Sequence, residues 1–209
     1  MTASTAVAGK PVLRGPSGPV PYIALWSAEK LPAPLVLQSS AGIRYADENL
    51  LDRDKDGVLW NRVQCRPGTG DPIYNQVHPL RQRKAMRNLW CQVCAGPADH
   101  HDDGTLWLLR DRRSDWPNWP EGIANTHPPV CARCARVSVR ICPWLKPGFV
   151  AVRAHSTVTG VIGAIYRAGR VFPRPTDDDD TVRYGDPLLR WVRATQLVRE
   201  LRDCTFVEL

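Results

Sequence analysis

Seven cysteines stand in this 209-residue chain, and four of them form two Cys-x-x-Cys pairs: Cys91-Gln-Val-Cys94 and Cys131-Ala-Arg-Cys134. Random placement of that many cysteines gives only about 0.2 such pairs. A pair spaced two apart holds both sulfurs on one side of a tight turn, and two pairs complete the tetrahedron of soft ligands that zinc prefers. Four thiolates leave no open coordination position, so the expected role of the metal is structural. Redox dithiols, buried core thiols and an iron–sulfur cluster are the alternatives. A thioredoxin-like motif needs a βαβ context, and none is visible around either pair.

Around these pairs the chain reads as short elements broken by loops, because nineteen prolines and fifteen glycines punctuate it. Residues 1–18 are small and polar and read as a flexible tail. Residues 19–77 read as a β-rich region, with strands at Val20–Trp26, Leu35–Gln38, Gly42–Tyr45 and Val58–Arg66. A region over 78–145 combines a basic helix with the four-cysteine module. The helix opens at Pro79, a residue suited to the first helical position, and runs to Leu89. Thr105–Arg110 reads as a strand, Ser114–Pro129 as a Trp/Pro loop, and Cys131–Ile141 as a helix.

Residues 146–209 read as a β-hairpin over 149–167 and a C-terminal amphipathic helix packed on the same domain. Asp186-Pro187 looks like a helix start. Leu188, Trp191, Val192, Thr195, Val198 and Leu201 fall near one helical face. The expected fold class is therefore α+β.

The order of a knuckle pair, a hairpin strand and a second pair opening a helix resembles a treble-clef zinc finger. Cys91 and Cys94 match the knuckle, and Cys131 and Cys134 match the helix start. The strings Leu89-Trp-Cys-Gln-Val-Cys-Ala-Gly-Pro and Pro128-Pro-Val-Cys-Ala-Arg-Cys are also similar to uncharacterised zinc-motif proteins of high-G+C Gram-positive bacteria. So is His78-Pro-Leu-Arg-Gln-Arg-Lys. That resemblance implies a zinc site and no particular activity. HNH nucleases share the treble clef and define the enzyme alternative. Here, however, Ala135 and not His follows Cys134, and Asp99-His100-His101 comes close after Cys94.

Charge suggests what the module serves. The formal net charge is +7. No acid lies between Glu121 and Asp177, whereas that interval holds Arg133, Arg136, Arg140, Lys146, Arg153, Arg167, Arg170 and Arg174. An acidic run, Asp177–Asp180, follows, and reads as a solvated loop or as a flap over a basic face. Basic helices favour phosphates through salt-dependent contacts. Arg81, Arg83, Lys84 and Arg87 on the first helix, with Arg133, Arg136 and Arg140 on the second, are the candidate nucleic-acid contacts. Trp107, Trp116 and Trp119 are expected to bury against the zinc module. Asp52-Arg-Asp-Lys-Asp56-Gly matches the first half of a calcium loop, but Val63 stands where its bidentate Glu belongs, so it reads as a polar turn.

These features predict a non-enzymatic, zinc-stabilised binding protein that contacts DNA or RNA. A regulatory protein-protein interaction adaptor is the alternative, and a divergent HNH-like nuclease the next. No membrane-length apolar run is present. The expected location is cytoplasmic, where reduced cysteines favour metal over disulfides.

Overall fold

The computed structural model describes residues 12–16, 18–29, 34–178 and 180–209. The expected tail over 1–18 lies mostly outside these. Its described part carries strand β1 (Arg14–Gly15), which pairs antiparallel with β2 (Gly18–Pro19). Three of the expected N-terminal runs appear as β3 (Ala24–Trp26), β4 (Val36–Ser39) and β5 (Gly42–Tyr45). The fourth shortens to β6 (Leu59–Trp60). β4 and β5 form a hairpin, whereas β3 pairs with β7 (Pro72–Val77).

Helix α1 (Pro79–Asn88) begins where Pro79 suggests. The ring of His78 caps it by accepting from the Arg81 backbone N–H at 3.4 Å. It ends at Leu89 in the left-handed region, φ 50°. Then follow β8 (His100–His101), β9 (Gly104–Arg110), β10 (Ala124–Asn125) and α2 (Ala132–Ile141). The remainder is β11 (Phe149–Arg167), β12 (Arg174–Pro175), β13 (Val182–Arg183) and β14 (Val192–Val207).

The α+β expectation fails here. The described residues are mostly β, with two α-helices and one large mixed sheet of eight strands. Its spine runs β10-β14-β11-β9-β8; β6 adds parallel to β14, and β12 and β13 pair along β11. The expected hairpin over 149–167 is one continuous 19-residue strand. The expected C-terminal helix is a 3-10 turn at Pro187–Trp191 followed by β14, and β14 is the long partner of β11.

The physical reason lies in the bulges. Opposite Ala154, β14 carries both Asp203 and Cys204; opposite the step from Ile162 to Gly163 it carries Thr195 as an extra residue. Thr159 is the matching extra residue on β11. Each insertion shifts the phase of a period-two pattern. Leu197 to Leu201 are moreover all buried, so the usual in-and-out alternation vanishes there. Apolar residues shifted in this way mimic helical spacing. Asp203 sits at φ 54°, and the Glu121 carboxylate accepts both bulge N–H groups, of Asp203 and Cys204, at 3.1 Å each.

The sheet carries two cores. On one side, Met86 of α1 meets Trp60, Trp107, Trp119, Val152 and Leu197. Gln82 of α1 bonds β14 directly: its amide donates to the Leu197 carbonyl, and its carbonyl accepts the Leu197 N–H, both at 2.9 Å. On the other side, Leu106 and Leu108 of β9 pack on Cys91, Val130, Cys134 and Ala135. The alternation of β9 thus serves both layers. Trp107 and Trp119 bury in the first core and not against the cysteine module, and Trp116 is exposed.

Candidate metal centre

The knuckle follows directly from the left-handed end of α1. Cys91 N–H donates to the Gly96 carbonyl at 2.7 Å, and Ala95 N–H to the Cys91 carbonyl at 2.9 Å. Ala95 takes φ 57° to close the turn. Backbone bonds clamp the knuckle from two sides. Gln92 N–H donates to the Pro129 carbonyl, while Tyr22 and Ile23 N–H groups donate to the carbonyls of Val93 and Gln92. A second set, Asp99 to Val130, Val130 to Leu106 and Leu106 to Asp99, ties the segment before α2 to β9. Cys131 is the N-cap of α2, so Cys134 lies in its first turn, where the helix dipole favours thiolate.

These constraints bring the four sulfurs of Cys91, Cys94, Cys131 and Cys134 within 4.8 Å of one another, with Cys94 Sγ and Cys131 Sγ at 3.9 Å. A tetrahedral zinc–thiolate site places its sulfurs about 3.8 Å apart, from a Zn–S bond of about 2.3 Å. The donor set is compatible with zinc. Hydrogen bonds from Cys134 and Cys91 pull the Cys131 thiol down to about 2. Cys91 is pushed up to about 12, chiefly by its bond to Cys131. Cys134 is also pushed up. Four sulfurs this close cannot all carry charge without a cation between them. A divalent ion resolves that conflict.

Cys142 packs at the edge of this core without joining the four. Cys65 is exposed and not a core residue, whereas Cys204 packs against the main core, where burial first of all pushes its thiol up to about 12.

The basic candidates separate sharply. Arg81 is buried, 2% exposed, and forks onto both carboxylate oxygens of the fully buried Glu29. It also donates to the Ala24 carbonyl at 2.6 Å. It is therefore withdrawn from any phosphate-binding surface. Arg83 lies over the Trp60 ring at 4.3 Å. Arg87 is paired with Asp54 at 2.8 Å, leaving Lys84 as the exposed cation of α1 without an ion pair among the described residues. Arg133, Arg136 and Arg140 are all exposed on α2, and no acid lies within ion-pair distance of them among the described residues.

The secondary motifs resolve in the same way. Asp54 accepts from Trp60 Nε1 and from the Asp56 and Val58 N–H groups, and Asp52 from Arg62, so the Asp-rich loop is a structural turn. His101 pairs with Asp99 at 3.2 Å, and His100 with Thr105 at 2.9 Å. Of the acidic run, Asp179 lies outside the described residues; Asp178, which follows β12, pairs with Arg167 at the far end of β11 from α2 and so does not cover the α2 face. A second group, Glu29, Cys65 and His78, also clusters closely. Scattered positions gave it no sequence signal. Arg81 and two backbone N–H groups already occupy Glu29, which makes the cluster a brace for α1.

Comparison with family models, curated proteins and solved structures returns no match. Among the described residues, no helix is long and apolar enough to cross a membrane.

Proposed function

We propose that the chain is a zinc-stabilised, non-enzymatic nucleic-acid-binding protein whose contact surface is the exposed face of α2. The four cysteines hold one zinc ion in a treble-clef-like arrangement: knuckle, β8–β9 hairpin, then a helix capped by Cys131. The observation that carries the reading is that α2 starts at the cysteine cluster and presents Arg133, Arg136 and Arg140 without acidic partners among the described residues. The metal fixes the helix, and the helix presents the charge. Candidate contacts on α1 reduce to Lys84.

The test has two linked parts. Mass spectrometry of the purified protein is expected to find one zinc per chain, lost in Cys91→Ser and Cys131→Ser. Labelled oligonucleotides should bind with an affinity that falls steeply with salt. Arg133→Glu/Arg136→Glu/Arg140→Glu should reduce that slope by roughly 0.7–0.9 for each phosphate contact removed. Metal-free protein, or full affinity after triple charge reversal, would overturn the reading.

A further inference from the structure

Beside α2, at the end of the large sheet, lies an open groove of about 550 Å³. Its walls include Arg113, Arg136, Arg140, Val139, Phe149 and Phe206. Phe149, 40% exposed, lies on the face that carries α2, in phase with Ala151 of the cysteine-side core; Phe206, paired with Val152 of the main core, turns to the opposite face. The aromatic surface continues outward: Phe149 is paired across the sheet with Arg110, and the Arg110 guanidinium lies 5.0 Å over Trp144, itself 56% exposed. Arg113 stands 5.7 Å over Phe206.

Exposed flat rings beside guanidinium groups offer a stacking surface next to positive charge. Arg113 is already neutralised by Asp111, and Glu208 sits on the rim. Arg136 and Arg140, one helical turn apart on one side of α2, exceed Glu208 and leave the groove one net positive charge. The matching ligand is a polyanion that also offers exposed flat faces. A duplex hides its base faces in the stack; a single strand presents them with its phosphates.

We infer that this groove binds single-stranded nucleic acid, with bases stacked on Phe149 and Trp144 and phosphates held by Arg136 and Arg140. The inference rests on the nucleic-acid reading above and specifies which form the site takes. Aromatic stacking supplies sequence-tolerant affinity, and the arginines supply its salt dependence.

The zinc-loaded full chain is titrated with a fluorescent 12-nucleotide single strand and with the corresponding duplex. Single strand is expected to bind more tightly. Phe149→Ala and Trp144→Ala should each weaken it about tenfold with an unchanged salt slope, while Phe149→Tyr and Phe206→Ala retain affinity. Arg136→Glu should weaken it and flatten the slope. Circular dichroism and zinc content verify that each variant is folded. Phe149→Ala and Trp144→Ala at full affinity, beside a weakened Arg136→Glu, would overturn the groove and leave the basic-surface reading standing. So would duplex binding as tight as single strand, or displacement of the strand by poly-glutamate at equal charge. No binding of either nucleic acid at low salt overturns both.

Discussion

Glu29→Gln is the sharpest test of how this fold is held together. Glu29 is fully buried and accepts four bonds: two from the Arg81 fork, and one each from the Trp26 and Arg66 N–H groups at 2.9 Å. It thus joins β3, the loop before β7 and α1 at a single carboxylate. Glutamine cannot accept all four, since its NH₂ would face a donor, and it leaves the Arg81 charge buried and uncompensated. Removing one partner of a buried pair costs about 3–5 kcal/mol. For a domain of this size each kcal/mol moves the thermal midpoint by roughly 2–4 °C, so the midpoint should fall by about 10 °C. Urea unfolding followed by circular dichroism measures the loss directly. Glu29→Leu/Arg81→Met, which removes both charges, should recover much of it. A loss below about 1 kcal/mol in Glu29→Gln would refute this account. So would Arg81→Met that leaves stability intact, because the Arg81–Glu29 pair would then not hold α1 in place.

Acid should act on the same brace in two steps. Burial, then the nearby Arg81 charge, hold His78 below its ordinary value; its folded-state stability is present above about pH 6.5 and declines as pH falls below that. Burial raises Glu29, but the Arg81 and backbone bonds outweigh it and hold the carboxyl low, so its contribution declines only in the acid range below about 4.5. His78→Asn, which keeps a capping side chain without a titrating ring, should flatten the upper step in urea midpoints measured from pH 7 to 5. Gly104→Ala should destabilise the β9–β11 pairing by about 3 kcal/mol or more in the same unfolding assay. Gly104 takes φ +112°, and an added Cβ would meet the Ala154 backbone at 2.5 Å.

What the sequence by itself determined was local. The two Cys-x-x-Cys pairs, the proline start of α1, the helix after Cys131 and the two strands that became β4 and β5 were legible because each depends on a few neighbouring residues. The tertiary structure decided everything that joins distant segments. A strand partner supplies hydrogen bonds from the far side of the chain, so Val192–Val207 became β14 against β11, despite spacing that suits a helix. Bulges at Thr159, Thr195 and Asp203 hid the two-residue period that would have revealed it. The same long-range packing divided the arginines. Arg81 and Arg136 are both basic helix residues and cannot be told apart by composition. Only the folded chain brings Glu29 onto Arg81 and leaves Arg136 at the mouth of an aromatic groove. Charge can be counted along a sequence, but whether a charge is buried in a pair or free to meet a ligand depends on residues many positions away.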